Sequence, residues 1–261
     1  MRSSDLAALV LAAGEGKRLR PLTLVRPKPL CPVNNVPLID LAFTEVTQLL
    51  GLVGSDRLAV NAHYLADQVV AHVGDRAHLS IEHPHALGTA GAIGYLREWI
   101  DGRPLLVRNT DVWRGGGVPS SFIDDWDEAA PRLLVVEDPE RADFGGRWRY
   151  AGLSLLPWAA AQLLSPEPQG LYEALWAPAE GSGRLGLVVS EAPFIDCGTP
   201  RNYLRANLAA SGGESVIGPG AVVEGELVRS VVWPTGVVRR DERLVEAIRV
   251  GADMTVPAAL S

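Results

Sequence analysis

The sequence of 261 residues has few cysteines, no long apolar segment and a deficit of positive charge. Its two cysteines, Cys31 and Cys197, are too few for a disulfide framework and suit a reducing compartment, so we expect a cytoplasmic protein. No apolar run approaches the roughly 20 residues that a membrane-spanning helix needs, which predicts no membrane partner. The formal net charge of −7 argues against nucleic acid as a partner.

The N-terminus resembles a secretory signal only weakly. Residues 1–14 contain one basic side chain, Arg2, before a short apolar run. That run leads directly into a glycine-containing turn, so we interpret residues 5–12 as a first buried strand rather than as a leader. The chain length suits an α/β domain with a small appendage.

A locally basic segment follows this strand. Gly14 and Gly16 permit a tight turn that brings backbone N–H groups close to an anion. Arg18 adds a planar fork of donors suited to phosphate oxygens. Lys28 stands between two prolines, which stiffen the backbone that presents its ammonium group. We call residues 16–30 the phosphate segment, because this pattern predicts a phosphate site.

The two commonest phosphate loops are absent from this segment. Lys17-Arg18 does not supply the G-K-[ST] ending of a P-loop, and Leu19 stands where the dinucleotide fingerprint has its third glycine. A glycine-rich turn with solvated charges is the alternative interpretation. Gly-x-Gly alone would favour that alternative, whereas the added arginine and the Pro-Lys-Pro sequence favour phosphate binding.

Short apolar runs typical of strands alternate with longer segments of helical periodicity. We predict a loop or short hairpin over residues 137–150. We predict helices over residues 36–50, 64–73, 88–99 and 200–210, and strands over residues 58–60, 79–81, 104–107, 133–136, 151–156 and 188–190. This alternation predicts an α/β fold with a doubly wound, mostly parallel sheet. Ligands of such sheets lie beyond the carboxyl ends of the strands, where the first loop, the turn after Ile81 and Asp111 fall.

The composition changes after residue 211. Residues 212–261, which we call the C-terminal tail, contain short β-branched steps separated by glycine turns at a loose six-residue spacing. This pattern predicts a β-helix-like coil. The coil is too short to be stable alone, so we expect it to pack on the main domain or on another copy of itself, which would form a homo-oligomer.

Residues 11–30, which include the phosphate segment, resemble the signature of the sugar-1-phosphate nucleotidyltransferases, or nucleoside-diphosphate-sugar pyrophosphorylases. That signature reads roughly L-A-A/G-G-x-G-x-R-L-x-P-L-T followed by P-K-P-L/M, and residues 11–23 and 27–30 match it. The resemblance implies a Rossmann-like nucleotidyltransferase domain over residues 1–211 and a truncated left-handed β-helix over residues 212–261. It implies that an NTP and a sugar-1-phosphate react, with Mg²⁺ as cofactor, to give an NDP-sugar and pyrophosphate.

Two acidic residues are the candidate metal ligands. Asp111 follows an apolar strand, and Asp196 precedes a helix start. Either residue alone is more often a cap or a turn residue, but the resemblance assigns the pair to Mg²⁺. It likewise implies that Arg18 clamps the triphosphate and that Lys28 bridges the α-phosphate and the sugar phosphate. We therefore expect Arg18, Lys28 and Asp111 to be catalytic.

The resemblance also implies positions for the base and the sugar. The segment that ends in Leu87-Gly88-Thr89-Ala90-Gly91 is similar to the base-reading turn of the family, and Tyr150-Ala151-Gly152-Leu153 resembles its sugar-contacting strand. The expected nucleotide-binding residues are Leu11, Ala12, Ala13, Gly14, Gly16, Lys17, Arg18, Glu82, Gly88 and Thr89. The expected sugar-binding residues are Asn109, Gly152 and Glu173.

Two departures from the family pattern bear on the substrate. Thr110 precedes the metal aspartate, where glycine or alanine is usual, and would either crowd the site or donate a hydroxyl group. Residues 137–149 contain no lysine, and Asp143-Phe144 replaces the E-K-P sugar clamp of many relatives. This resembles the branches that act on N-acetylmuramate-1-phosphate with UTP, or on mannose-1-phosphate with GTP.

Three alternatives remain open at this point. The first is a non-catalytic regulatory subunit that binds nucleotide sugars. The second is a cytidylyltransferase for a non-sugar phosphate, and the third is an enzyme for a cyclitol or deoxysugar phosphate. No serine, cysteine or histidine stands in a nucleophile motif, so we expect no covalent enzyme intermediate.

Overall fold

The structure, a computed structural model, describes residues 6–51 and 54–260. Residue 5, where the first predicted strand begins, lies outside the described residues. One-turn 3₁₀ helices span Lys17–Leu19, Lys28–Leu30 and Pro139–Arg141, and a π-helix spans Tyr172–Trp176. The α-helices are α1 (Leu22–Val25), α2 (Leu38–Leu50), α3 (Ala66–Val73), α4 (Gly88–Tyr95), α5 (Arg97–Ile100), α6 (Ser121–Asp124), α7 (Trp158–Ala161), α8 (Ala177–Gly181) and α9 (Pro200–Ala210).

The strands in the first two thirds of the chain are β1 (Ala7–Leu11), β2 (Pro32–Val33), β3 (Val36–Pro37), β4 (Leu58–Ala62), β5 (His78–Ile81), β6 (Leu105–Asn109), β7 (Val112–Arg114), β8 (Arg132–Glu137) and β9 (Trp148–Leu156). Those in the last third are β10 (Gly186–Val189), β11 (Phe194–Asp196), β12 (Val216–Ile217), β13 (Val222–Val223), β14 (Glu226–Val228), β15 (Val231–Val232), β16 (Val237–Val238), β17 (Arg243–Val245), β18 (Ala247–Val250) and β19 (Met254–Pro257).

Contacts divide the chain into two compact units. The first unit comprises residues 1–14, 42–110 and 116–192. The second unit comprises residues 15–41, 111–115 and 193–261. This division groups the C-terminal tail with the phosphate segment, so the domain boundary that we predict after residue 211 remains a prediction.

The first unit contains a seven-stranded sheet in the order β10-β8-β9-β6-β1-β4-β5. Strand β9 is antiparallel to both β6 and β8, and the other neighbouring strands are parallel. The predicted mostly parallel α/β sheet is therefore confirmed. Ala7–Val10 of β1 are all 0% exposed, which explains why this strand is a continuous apolar run rather than an alternating one.

Helix α4 carries glycines where a chain segment packs against it. A Cβ atom on Gly91 would lie 2.4 Å from the carbonyl oxygen of Glu167, and one on Gly94 would lie 2.4 Å from the same group of Ser165. The single helix predicted over residues 88–99 is wrong. It breaks at Leu96, whose N–H is shared at 3.1 Å between the carbonyl oxygen of Ala92, the regular α-helical partner, and that of Ile93, a 3₁₀-type partner that tightens the turn.

The second unit is built from short elements around α9. Strands β2 and β3 form a hairpin, and β7 pairs antiparallel with β11. Helix α9 has the predicted bounds, with Pro200 as its first residue. The Thr199 hydroxyl accepts a hydrogen bond from the N–H of Asn202 at 3.3 Å, so Thr199 is the N-cap of this helix.

The C-terminal tail winds as parallel strand pairs. Partners in successive turns, such as Val216 and Val231 or Glu226 and Arg243, lie 15 to 17 residues apart along the chain. The turn length corresponds to three steps of five to six residues, and the predicted β-helix-like coil is confirmed. Its handedness remains a prediction. Strand β19 turns back antiparallel on β18 and ends the coil.

One hydrophobic cluster joins the tail to the rest of the second unit. It includes Leu19 and Leu22 of the phosphate segment, Tyr203 of α9, and Trp233 and Ile248 of the tail. The tail thus packs on residues that precede it in the chain. Of the two expected modes of packing, on the main domain or on another copy of the tail, this is the first. Assembly into a homo-oligomer remains a prediction.

Among the residues described, no helix is both long enough and apolar enough to cross a membrane.

Candidate active site

Strand pairing in the second unit places the two candidate metal ligands side by side. Asp111 directly precedes β7, and Asp196 is the last residue of β11. In the antiparallel register, Asp196 pairs with Val112, and the N–H of Cys197 donates to the carbonyl oxygen of Asp111 at 2.8 Å. Two carboxylates from distant parts of the sequence are thereby held on neighbouring strands.

The predicted catalytic lysine contacts one of these carboxylates. Lys28 Nζ donates to Asp111 Oδ2 at 2.8 Å. The side chain of Lys28 is 13% exposed and that of Asp111 is 32% exposed, so water screens this ion pair less than it would at the surface. The ammonium group and the first metal-ligand candidate therefore form one partly buried charged pair.

The predicted triphosphate clamp lies beside the second carboxylate. Arg18 Nη2 is 3.8 Å from Asp196 Oδ2, and the arginine side chain is 69% exposed. The distance is too long for a strong hydrogen bond, which leaves the guanidinium donors able to bind an incoming anion. Gly198 makes room for this arrangement, because a Cβ atom there would lie 2.7 Å from Asp196 Oδ1 and 2.8 Å from Arg18 Nη2.

Gly16 needs to be glycine for two reasons. Its φ of +62° lies in the left-handed region. A Cβ atom would also lie 2.9 Å from Thr23 Cγ2 and 3.2 Å from Lys28 Cβ. The buried Thr23 hydroxyl donates to the carbonyl oxygen of Gly16 at 2.9 Å and fixes the turn. Thr23 thus positions the turn at Gly16. In the sequence it was visible only as the last residue of the L-A-A-G motif, with no role assigned to it.

The donor set suits Mg²⁺. Asp111 and Asp196 offer hard carboxylate oxygens, and Mg²⁺ typically takes one or two carboxylates and completes its shell with phosphate oxygens and water. In the described part of the chain no three His, Cys, Asp or Glu side chains form a metal-holding group. The site therefore fits a cation that the substrate helps to coordinate, and it does not fit an all-protein metal cage.

Neither cysteine is an activated nucleophile. Burial raises the pKa of the Cys31 thiol to about 12, an effect that Arg26 and Lys28 only partly offset. Burial also raises the pKa of Cys197, which lies next to Asp196. Both thiols are neutral at physiological pH, which agrees with the absence of a nucleophile motif.

A buried polar network shapes the predicted nucleotide loop in the first unit. The N–H of Ala12 donates to Asn61 Oδ1 at 2.8 Å, and Asn61 Nδ2 donates to Glu82 Oε1 at 2.7 Å. Glu82 Oε2 accepts from the N–H of Leu87 at 2.7 Å, and the residue is 1% exposed. Both carboxylate oxygens of Glu82 thus hold protein groups. Asn61 was not among the predicted site residues; its only signal is an amide near the end of an apolar strand.

Gly88 and Thr89 of the predicted base-reading turn contact a neighbouring chain segment. Gly88 has a φ of +70°, and a Cβ atom there would lie 2.6 Å from the carbonyl oxygen of Gln169. The Thr89 hydroxyl accepts from the N–H of Leu171 at 2.7 Å. These contacts give the L-G-T motif a structural function, and its role in binding nucleotide remains a prediction.

The unusual Thr110 bonds back to the first strand. Its side chain is buried, and Oγ1 donates to the carbonyl oxygen of Leu11 at 2.7 Å. Of the two effects considered for this residue, donation of a hydroxyl group is the one observed. The bond ties the end of β6, where Asn109 lies, to the end of β1.

The region that replaces the E-K-P clamp is a tight aromatic corner. Asp143 Oδ2 accepts from the N–H of Tyr150 at 2.8 Å, and Phe144 is 1% exposed. The rings of Tyr150 and Trp176 have centroids 4.6 Å apart. A hydrophobic anchor thus occupies the place where the E-K-P pattern expected from the resemblance would have its lysine.

The predicted sugar-binding residues lie on separate elements of the first unit. Gly152 has a φ of +80° inside β9, where the pairing with β8 shifts register and forms a bulge. Glu173 is exposed on the π-helix, and its Oε2 lies over Gly170, where a Cβ atom would be 2.4 Å away. Their contact with a sugar remains a prediction.

The structure brings some predicted residues together. Arg18, Lys28, Asp111 and Asp196 form a charged group in the second unit, which we call the charged cluster. Lys17 is exposed and pairs with Glu15 at 3.1 Å. The roles assigned to these side chains remain predictions that the geometry supports.

Comparison with known proteins identifies the family. A family model described as Nucleotidyl transferase matches residues 7–145, more than half of the chain. An N-acetylmuramate alpha-1-phosphate uridylyltransferase from Caulobacter vibrioides is 34% identical over 239 residues, which cover 79% of this chain and 97% of the relative.

The chain belongs to the sugar-1-phosphate nucleotidyltransferase family.

Two further proteins extend the comparison. A mannose-1-phosphate guanylyltransferase from Mycobacterium tuberculosis is 30% identical over 247 residues, covering 79% of this chain and 65% of that protein. A solved structure from Thermus thermophilus, described as a mannose-1-phosphate geranyltransferase, has a TM-score of 0.72 at 19% identity and covers 97% of this chain and 95% of its own. This last likeness concerns the fold, and it extends over nearly the whole chain. The predicted family and enzyme class are confirmed.

Proposed function

We propose that this sugar-1-phosphate nucleotidyltransferase joins an NTP to a sugar-1-phosphate at the charged cluster and releases pyrophosphate. The observation that carries the proposal is the contact of Lys28 with Asp111 beside the β7–β11 pair. A reaction between two anions needs positive charge and precise positioning, and the cluster supplies both.

In the proposed reaction, an oxygen of the sugar phosphate attacks the α-phosphorus of the NTP. The bond between the α-phosphorus and the oxygen that it shares with the β-phosphorus breaks, and pyrophosphate leaves on the side opposite the attacking oxygen. Arg18 binds the triphosphate, since its guanidinium is exposed and only loosely paired. Lys28 exchanges its bond to Asp111 for bonds to the α-phosphate and the sugar phosphate as negative charge develops there.

Asp111 and Asp196 would hold Mg²⁺, which neutralises phosphate charge and orients the triphosphate when bound. Both buried thiols stay protonated, so direct transfer without an enzyme-bound intermediate suits this chain. Of the alternatives considered, the non-catalytic regulatory subunit gains least support, because all four charged side chains are retained and contact one another in pairs.

We assign the base and the ribose to the loop after β1 and to the turn that begins α4. Leu11, Ala12, Ala13 and Gly14 would contact the nucleotide through their backbone, together with Gly88 and Thr89. Glu82 acts in this proposal by holding the loop, because Asn61 and Leu87 occupy its carboxylate. Asn109, Gly152 and Glu173 are assigned to the sugar.

For the substrate pair, we favour UTP with N-acetylmuramate-1-phosphate. The uridylyltransferase from Caulobacter is similar over 97% of its length, and the aromatic corner at Phe144 replaces the lysine clamp. GTP with mannose-1-phosphate is the second candidate, supported by the guanylyltransferase from Mycobacterium at 30% identity.

Pyrophosphate release tests the proposal. ATP, CTP, GTP, UTP and dTTP would each be incubated with Mg²⁺ and a panel of sugar-1-phosphates, with EDTA as the control. We expect release with one preferred pair and none in EDTA. Silence across the panel, with nucleotide-sugar binding still measurable by calorimetry, would instead favour the regulatory-subunit alternative. Release with CTP and a non-sugar phosphate would favour a cytidylyltransferase.

A further inference from the structure

A cation–π contact links the phosphate segment to the C-terminal tail. The guanidinium carbon of Arg26 lies 4.8 Å from the centroid of the Trp233 ring. Arg26 is half-buried and stands two residues before Lys28. The tail, to which the proposed function assigns no part, thus contacts the chain next to the catalytic lysine.

Buried aromatic residues fix the other side of Lys28. Trp233 is 2% exposed, and its indole N–H donates to the hydroxyl group of Tyr203 at 3.0 Å. That hydroxyl donates in turn to the carbonyl oxygen of Pro32. Trp233 is therefore attached to the chain on both sides of Lys28. It contacts Arg26 before the lysine directly, and it contacts Pro32 after the lysine through Tyr203.

The backbone between these two attachment points is stiff. Pro27 and Pro29 restrict the dihedral angles on both sides of Lys28. The N–H of Leu30 donates to the carbonyl of Pro27 at 2.9 Å, and the N–H of Cys31 donates to that of Lys28 at 3.0 Å. A short stiff turn that is attached at both ends has little freedom, so its attachments set the direction of the lysine side chain.

We propose that Arg26 is a positioning residue, and that its contact with Trp233 makes the tail part of the support for Lys28. The inference rests on the proposed function, in which Lys28 meets the phosphates. Arg26 acts through the backbone turn and does not itself contact substrate. A tail that is only an assembly module would not need this contact.

The test compares Arg26→Ala with Arg26→Lys. The alanine variant loses the cation–π contact, and we expect kcat to fall about fivefold, the loss typical of one such contact. KM for the NTP should stay within about twofold, because Lys28 acts mainly on charge that develops during the reaction. Arg26→Lys keeps a cation over the ring and should restore most of kcat.

The matched control is Arg103→Ala. The Arg103 guanidinium carbon lies 5.0 Å from the centroid of Trp99 in the first unit, so the same kind of contact is removed in the unit that does not contain the charged cluster. Arg103 also donates to backbone carbonyls, among them that of Ile100. We expect this variant to lose stability while kcat stays at the wild-type value.

Hydrogen–deuterium exchange gives a readout that is independent of activity. A peptide spanning residues 22–38 contains the amides of Leu30 and Cys31, which report the turn. Exchange there should be faster in Arg26→Ala and normal in Arg26→Lys and Arg103→Ala. If the wild type released no pyrophosphate but this exchange pattern appeared, the proposed function would fail and the structural coupling would stand.

Two results would overturn the inference. Unchanged exchange and unchanged kcat in Arg26→Ala would show that the contact does not position the turn. A large rise in KM for the NTP with kcat unchanged would show that Arg26 binds phosphate directly.

Discussion

Glu82 in the first unit and Asp111 in the second are both carboxylates next to a strand end, and their surroundings differ. Glu82 is 1% exposed and accepts hydrogen bonds from Asn61 and from the backbone of Leu87. The Asp111 side chain is 32% exposed and accepts from the ammonium group of Lys28. One carboxylate is held by neutral groups of the fold, and the other by a charged, flexible side chain.

This difference distinguishes a structural carboxylate from one that can exchange partners. Backbone and amide donors are fixed by the fold, so removing Glu82 from them would leave buried donors unsatisfied. A lysine ammonium on its flexible stem can turn from the carboxylate to a phosphate, and the carboxylate would then be available to hold Mg²⁺. The same contrast separates Thr89, which holds Leu171, from Arg18, which is 69% exposed.

The largest effect should come from Asp111→Asn. We expect kcat to fall about 10³-fold or more, because an amide cannot supply the negative charge that a metal cation requires. The thermal midpoint should change little, since the side chain is partly exposed. Asp253→Asn in the tail is the control, because Asp253 is 83% exposed and pairs with Arg239, whose side chain is itself 55% exposed. A variant with near-normal Mg²⁺-dependent turnover would refute the metal assignment.

The next largest effect concerns packing in the first unit. Gly91→Ala places a Cβ atom 2.4 Å from a backbone oxygen, and we expect a loss of about 3 kcal/mol in the free energy of unfolding. Gly181→Ala is the matched control, since nothing lies within 4 Å of its Cβ position at the end of α8. It should be neutral or stabilise the protein by about 0.5 kcal/mol. Equal effects in urea unfolding would contradict the close packing on α4.

Glu82→Gln tests the structural carboxylate directly. The new NH₂ group would face either Asn61 Nδ2 or the N–H of Leu87, two donors, so we expect about 2 kcal/mol of destabilisation. With the loop held less firmly, KM for the NTP should rise while kcat changes little. Glu167→Gln, at an exposed position of the same unit, is the control for loss of charge. A stable variant with reduced kcat would instead place Glu82 in the chemistry.

Arg18→Ala should have the smallest of these effects. We expect Kd for the NTP to rise about tenfold, which corresponds to the loss of one charge-assisted contact. Binding of the sugar phosphate should change by less than about twofold. Calorimetric titration of each ligand separately measures both values. A loss that falls mainly on the sugar phosphate would reverse the proposed orientation of the two substrates.

Local sequence patterns predicted much of the fold. The bounds of α9 and its Thr199 cap follow from the proline and the capping side chain themselves. The break at Leu96 was missed because α4 is apolar on all sides and gives no signal of its end. Strand β7 was missed because three residues are too few to show a period, and it is a strand only because β11 pairs with it.

The sequence by itself determined the class of the protein. The motif of Gly14, Gly16, Arg18 and the Pro-Lys-Pro turn acts over a few residues, and so does the hydrophobic period of each helix or strand. These features depend on interactions between near neighbours in the chain, which a sequence pattern displays directly.

The tertiary structure decided which groups meet. Pairing of β7 with β11 brings Asp196 next to Asp111, burial turns Glu82 into a structural carboxylate, and the contact of Arg26 with the Trp233 ring links the tail to the segment that contains Lys28. Each of these involves partners 21 to 207 residues apart in the sequence, and such contacts depend on how a whole unit packs. No local sequence pattern contains that information, because these contacts are stabilised by strand pairing and burial between residues far apart in the sequence.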